Sequence, residues 1–508
     1  MMSNDKFVLW NAIPNIVLIL FLLYYLSIRK GAGAVLAVIF VYLSLHGGYA
    51  VFAAATGDGI NTMNALHYQA SDFGAKLVGF SFLILCCVVL GIRSQYPMRV
   101  LRNNAYLVLN TAISLLFFLT AMLMGAERSA ADSAAGYWAV VKETLFAVCM
   151  WGGFFLFSVV IKQSGDYWRS FRKEWILACG VLPAIMILLG VYEILTGMAW
   201  AGTINSVGYS ARASGALFNP NVLGFWCAMM MALTSFMFHL KWISRTTTFV
   251  FMLLLAGALI LCASRSGLLL AITSLLVISS LLIFSAKAVP MKRFDLLWPL
   301  GSFAVAFASL AAIIQSVGPS REGLANTLFA NLHRFMQLPS DVFWIAVLKI
   351  YVPLAEKFPW VQQLHGYRAS ETSYISGHMA ESIDGRALLG YTSDNSFMAI
   401  YAIGGGFALS VWLWLWLVLL WLGVTKGRKV PGVYSSYALS GLFFCFSSGL
   451  FLRSAQLFPV WIFLSMLLGA CLCWWLTTDN GNVGNGMEAP GAGTLAHEPD
   501  RATAASGN

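Results

Sequence analysis

Apolar runs of about 20 residues recur along the whole chain, each as long as a helix that crosses the hydrocarbon core of a bilayer. In lipid every backbone N–H and C=O must be satisfied within the chain, which leaves helices or closed barrels as the only spanning structures. Continuous apolar runs of this length select helices. Thirteen candidate spans follow: 8–28, 32–55, 73–92, 105–124, 138–161, 176–197, 221–240, 248–263, 267–285, 294–314, 396–421, 434–450 and 457–476. The run at 248–263 is short and borrows from its flanks. The first run has no A-x-A site after it and reads as a transmembrane helix, not a cleaved signal peptide. The expected fold is all-α and polytopic, with 12 to 13 transmembrane helices and one long outer loop.

Composition excludes a soluble alternative. Hydrophobic residues make up 59% of the 508 positions and charged residues 10%, where an ordinary soluble domain carries about 25% charged residues. The net charge of +10 would suggest nucleic acid in a soluble protein. Here the Lys and Arg sit in short loops between apolar runs, which is the pattern of topology. All nine cysteines lie inside apolar runs, where Cys behaves as a small hydrophobe. Structural disulfides and a thiolate metal site are therefore not expected.

The basic residues alternate between loops. One set holds Arg29 and Lys30; Arg93, Arg99 and Arg102; Lys162, Arg169, Arg172 and Lys173; Lys241 and Arg245; Lys287, Lys292 and Arg293; and Lys426, Arg428 and Lys429. The opposite set holds Arg128, Arg212, Arg265 and Arg453 singly, and its loop 56–72 has neither Lys nor Arg. The positive-inside rule puts the richer set in the cytoplasm. With thirteen spans the N-terminus then faces outward and the C-terminus inward. Five regions result: N-terminal transmembrane helices at 1–175, transmembrane helices carrying the Arg motifs at 176–314, a large periplasmic loop at 315–394, C-terminal transmembrane helices at 395–476, and a disordered cytoplasmic tail at 477–508. Within the loop, Asp341 to Lys357 has a helix start signal and one apolar face.

Basic residues on the basic-poor side need a reason. Arg212 lies in the stretch Arg212-Ala-Ser-Gly-Ala-Leu-Phe-Asn-Pro-Asn221, and Arg265 in the tight turn Ser264-Arg-Ser-Gly267. A guanidinium at membrane depth faces a bundle interior or a wet cavity. It can bind phosphate oxygens with a planar fork, or simply snorkel or pair with a carboxylate. Pro220 starts a helix, and Asn219 and Asn221 can cap it or help form an anion site at its N-terminus. Asp394-Asn395 closes the long loop before a helix interrupted by Gly404, Gly405 and Gly406. Asp394 reads either as an N-cap or as a proton acceptor for a hydroxyl, and the glycines as close helix packing. The loop residues His333, Arg334, His365, Arg368, His378, Glu381, Asp384 and Arg386 read by default as solvated charges. No metal-ligand spacing, G-x-S-x-G, P-loop or dinucleotide fingerprint is present.

In order and in shared side, these pieces resemble the O-antigen ligase and Wzy-type polysaccharide polymerase superfamily. The matching features are R-x-x-G-x-x-F-N-P-N at Arg212 to Asn221, S-R-x-G at Ser264 to Gly267, the long outer loop, and Asp394-Asn395 before the glycine-interrupted helix. The resemblance covers about 176–421. It implies a GT-C-like helical bundle in the bacterial inner membrane, with the active site facing the periplasm. The implied donor is an oligosaccharide on undecaprenyl pyrophosphate, with no cofactor, nucleotide sugar or metal. Two arginines hold the pyrophosphate in the family, and the matching positions are Arg212 and Arg265. With Asp394 they form the candidate catalytic set. Asn219, Asn221, Asn395, Arg368, Arg386 and His378 are the candidate substrate-binding residues. Ligases of the family have His where this chain has Asp394, which favours a polymerase. The alternatives are an O-antigen ligase, a protein O-oligosaccharyltransferase or, in another class, a lipid-linked oligosaccharide flippase. Expected partners besides the lipid-linked donor and the bilayer are a chain-length regulator and a flippase; nucleic acid is not expected.

Overall fold

The computed structural model of the protein describes residues 105–130, 172–196, 212–217, 220–285, 292–319, 323–336, 396–427 and 432–449, with Thr144 and Leu364. Among these residues every regular element is helical: α1 (Ala105–Ala130), α2 (Arg172–Thr196), a 3-10 turn (Gly215–Leu217), α3 (Pro220–His239), α4 (Arg245–Cys262), α5 (Arg265–Phe284), α6 (Arg293–Val317), α7 (Leu324–Met336), α8 (Ser396–Gly427) and α9 (Gly432–Gly449). Helices α1 to α6 and α8 are long and apolar enough to cross a membrane. They coincide with the expected spans from 105–124 through 396–421, apart from 138–161. The expected span 434–450 is also a helix, α9, and its five serines keep it less apolar than those seven. The spans expected at 8–28, 32–55, 73–92, 138–161 and 457–476, and the helix expected over 341–357, lie outside the described residues.

The chain is an all-α polytopic membrane protein, and its surface shows the bilayer as solvent. Leu109 and Leu116 on α1, Leu188 and Leu195 on α2, Leu269 and Leu276 on α5, and Leu417 and Leu420 on α8 are all exposed. In water such a belt would cause aggregation; in lipid it costs nothing. Helix α3 is different. All its residues are buried except Pro220, Asn221 and Ala232, which are partly so. It packs against α4 and α5 most extensively, and also against α2, α6 and α9. An apolar helix buried on every side belongs at the centre of a bundle, and the flexible Met229, Met230 and Met231 fill its surroundings.

Polar side chains tie the core helices together, as they do between helices in lipid. The Nε2–H of His239 donates to the Asp295 carbonyl at 3.2 Å. That tautomer leaves Nδ1 to accept from the Tyr437 hydroxyl at 2.6 Å, and Ser235 Oγ lies 2.6 Å from the same hydroxyl. The chain of bonds joins α3, α6 and α9.

From α3 to α6, and from α8 to α9, successive helices run antiparallel, which sorts the connections to two ends. At one end Arg172 donates to the Trp242 carbonyl at 2.7 Å, and Arg245 pairs with Asp295 and stacks over Phe294 and Trp298. Ser285 and Ser436 meet there as well, at 3.3 Å. These connections belong to the basic-rich set. The 212–217 segment, the α4–α5 turn and α7 gather at the opposite end. The start of α8 joins them: Phe397 packs on Phe446 and against Gly449, at the far end of α9 from Ser436.

The glycine-interrupted helix is borne out in detail. Gly405 breaks the helical path of α8 with φ +70°, a conformation glycine adopts without steric cost. Just before the break, Ile403 meets Gly125 of α1 so closely that a Cβ at 125 would lie 2.8 Å from Ile403 Cγ2.

Candidate anion-binding site

The site begins with how α4 stops. Ala263 turns left-handed at φ 47°, and its N–H returns to the Leu259 and Ile260 carbonyls at 3.1 and 3.2 Å. Ser264 is extended, and its Oγ caps α5 by accepting from Gly267 N–H at 3.2 Å. Two residues thus reverse the chain, and Arg265 is the first residue of the next helix. The turn holds because α3 and α5 cross at glycines. A Cβ on Gly267 would lie 2.6 Å from the Gly224 carbonyl carbon, and a Cβ on Gly224 would lie 3.3 Å from Gly267 Cα.

A helix end leaves its last carbonyls without intrahelical donors, and here the rest of the site uses them. The Leu261 carbonyl accepts from Ala213 N–H at 3.0 Å and from Asn331 Nδ2 at 3.1 Å. The next carbonyl, Cys262, accepts from Arg212 Nε at 3.0 Å. The 212–217 segment is held from its other side by Glu193 of α2, which is 5% exposed. Its carboxylate accepts from Ser214 N–H at 2.7 Å, Gly215 N–H at 3.1 Å and Ser214 Oγ at 3.0 Å. Gly215 needs φ +54° to make this bend.

Arg212 is thereby fixed along one edge of its guanidinium. Nε engages Cys262, and Nη2 donates to Asn221 Oδ1 at 2.8 Å. Asn221 is the second residue of α3, and its Oδ1 also lies 3.5 Å from Ser264 Oγ. The side chain that could have capped α3 orients Arg212 instead. The outer edge of the guanidinium, Nη1 with the second Nη2 hydrogen, is left to grip an anion with a fork. Burial pushes the Arg212 pKa down to about 10, helped by the positive charges of Arg334 and Arg265 and opposed by Cys262. The group stays cationic at neutral pH.

The structure therefore brings Arg212, Asn221 and Arg265 together from two separate stretches of sequence. Asn219, Arg368, His378, Arg386, Asp394 and Asn395 lie outside the described residues. One expectation is corrected: Arg334 is not a solvated loop charge. It sits on α7, partly buried, and acts on Arg212 more strongly than Arg265 does. Its neighbour His333 is exposed as expected. Sequence reasoning also missed Asn331 and Glu193. The signal for α7 was its apolar spacing at Leu324, Leu328, Leu332 and Phe335. The signal for Glu193 was a carboxylate inside an apolar run, which marks a function by default.

Chemically the arrangement is a partly buried, cationic end of a membrane bundle, in which the Cys262 carbonyl and the Asn221 amide fix the Arg212 guanidinium. Such a group suits an anion with several oxygens. No protein-family model matches the chain, and no curated protein matches it.

Proposed function

We propose that the protein joins lipid-linked oligosaccharide repeat units in bacterial exopolysaccharide, capsule or O-antigen synthesis, at the periplasmic face of the inner membrane. In this reading it is a polymerase-like member of the O-antigen ligase and Wzy-type superfamily. The observation that carries the reading is the Arg212 cluster. Two motifs more than 40 residues apart meet at one helix end, and Arg212 is held there along one edge by the Cys262 carbonyl and Asn221. A lipid diphosphate supplies an anion at membrane depth, and its polyprenyl chain remains in the bilayer beside the exposed leucines.

The reaction forms a glycosidic bond between an acceptor sugar hydroxyl and the anomeric carbon of the donor. The anomeric carbon–oxygen bond to phosphate breaks, and its electron pair leaves with undecaprenyl pyrophosphate. Arg212 and Arg265 stabilise the charge that develops there, and preorganised charge of this kind is usually the largest catalytic term. Asp394, just before α8, takes the hydroxyl proton. An acid at this position, where ligases have His, supports polymerisation over ligation to a lipid core.

The test is a chromosomal deletion combined with assay of purified protein on lipid-linked repeats. The expected result is loss of polymer, accumulation of single lipid-linked repeats in the strain, and chain extension in vitro. Polymer of normal length and amount in a strain with no second polymerase refutes the reading. Reporter fusions check the orientation: cytoplasmic after Thr247, Ala288 and Lys429, periplasmic near Leu364. A cytoplasmic signal at Leu364 would place the arginines in the wrong compartment.

A further inference from the structure

Helix α2 is the bed on which the Arg212 segment lies. Met186, Gly190 and Glu193 are spaced at four and three residues, which puts them on one face of α2. That face meets the segment residue by residue. A Cβ on Gly190 would lie 3.0 Å from Ala213 Cβ and 3.4 Å from Leu261 Cδ1, and a Cβ on Gly215 would lie 3.1 Å from Met186 Sδ. The Glu193 carboxylate completes the seat by accepting from Ser214 N–H, Gly215 N–H and Ser214 Oγ. On its other side the segment is pinned to the end of α4, through Ala213 N–H to the Leu261 carbonyl and Arg212 Nε to the Cys262 carbonyl. The chain from Arg212 to Gly215 is thus a short bridge between two helices, with the guanidinium at one end and the carboxylate at the other.

A carboxylate is a costly choice for this seat. An ionisable side chain in a membrane span is expensive to bury and marks a function by default. What it gives here is two acceptor oxygens for three donors, in bonds that its charge makes roughly twice as strong as neutral ones. The segment is held from α2 by Glu193 and from α4 by backbone carbonyls alone. Ser214, which takes two of the three carboxylate bonds, is two residues from Arg212. A shift of the segment on α2 is therefore passed directly to the guanidinium.

We propose that Glu193 is a positioning residue for lipid-diphosphate recognition: it seats the 212–217 segment on α2 and so fixes the Arg212 guanidinium where the diphosphate headgroup binds. The inference rests on the lipid-diphosphate reading of the Arg212 site and adds the residue through which α2 takes part in it.

The test is equilibrium binding of undecaprenyl pyrophosphate to the full-length protein in detergent, with thermal unfolding to confirm that each variant is folded. Glu193→Ala removes all three bonds. Glu193→Gln keeps the shape of the side chain and weakens them, so a readable variant remains if the alanine protein does not fold. Both are made in wild type and in Arg212→Lys. In wild type Glu193→Gln should weaken binding by about 3- to 10-fold and Glu193→Ala by roughly 10- to 100-fold, the span of a hydrogen bond to a charged group. In the Arg212→Lys background the same changes should move affinity by less than about threefold, because a flexible ammonium is not held by the Cys262 carbonyl and Asn221 together and does not register where the segment lies. A purely structural Glu193 would lower the melting temperature and leave the affinity of the folded protein unchanged; that result overturns the inference and leaves the Arg212 site standing. An equal loss of affinity in both backgrounds does the same, since Glu193 would then act without Arg212. Wild type that binds undecaprenyl pyrophosphate no better than Arg212→Ala does overturns the lipid-diphosphate reading, and this inference with it.

Discussion

Replacing Gly267 by alanine should damage the protein out of proportion to one methyl group. The added Cβ would lie 2.6 Å from the Gly224 carbonyl carbon and 2.7 Å from Gly224 Cα. Both are backbone atoms, so no side chain can swing aside. Carbon atoms pack favourably at about 3.5–4.0 Å, so α3 and α5 must separate by roughly 1 Å at their crossing. Overpacking of this kind costs about 1–3 kcal/mol. The functional cost should be larger, because Arg265 is two residues from the crossing and moves with it. A 1 Å misplacement of a catalytic group can cost about 10²-fold in rate. Gly301 of α6 is the matched control, since nothing lies within 4 Å of where its Cβ would be. There alanine should be neutral or stabilise by up to about 1 kcal/mol through helix propensity. The assay is thermal unfolding of both purified variants in the same detergent, followed by lipid-diphosphate binding. A Gly267→Ala protein that melts and binds like Gly301→Ala would show that the crossing does not set the position of Arg265.

Arg212→Ala should abolish binding or transfer while the protein still inserts, and Arg212→Lys should restore it only in part, because an ammonium cannot span the Cys262 carbonyl and Asn221 together; wild-type activity per molecule with lowered protein level would make Arg212 structural. Glu193→Gln should cost about 1–3 kcal/mol, because a Gln amide has one carbonyl oxygen where the carboxylate has two acceptors for Ser214 and Gly215; a melting temperature equal to wild type would refute the clamp. Asp394→Asn should lower turnover on lipid-linked substrate by about 10²-fold or more if Asp394 accepts the proton, whereas an Asn that serves almost as well would leave Asp394 as a helix cap.

What could be read in the sequence was whatever depends on composition and local pattern. Eight of the expected spans are helices within several residues of their expected limits, because lipid leaves a continuous apolar run no other option. Pro220 as a helix start and the tight turn at Ser264 to Gly267 were also legible, the first from proline's own chemistry and the second from its place between two apolar runs; that Ser264 caps α5 emerged only with the fold. Arg212 and Arg265 stood out as basic residues on the basic-poor side. Arg334 was hidden, because a charge in a long loop looks solvated until the helix that carries it is docked. The partner of Asn221 could not be foreseen either. A helix start invites a cap, and only the approach of the 212–217 segment diverts that side chain to Arg212. The acceptors that build the site, the Leu261 and Cys262 carbonyls, are backbone atoms and leave no mark in sequence at all.

Helix α3 is the least apolar of the seven spans, with a mean hydropathy of 1.5, and also the most enclosed, with 89% of its window buried. Apolar character is demanded only where a helix touches lipid, so a segment wrapped by its neighbours is released from that demand. The same segment enters the bilayer before α4, α5 and α6 have been synthesised. During that interval it faces acyl chains with Thr234, Ser235 and His239, side chains that later neighbours enclose. Correct assembly thus depends on the later helices arriving before the early one slips out or is degraded. A chain cut after His239 should be cleared quickly, while one cut after Val317 carries α4, α5 and α6 and still lacks the Tyr437 hydroxyl of α9 that Ser235 and His239 bind.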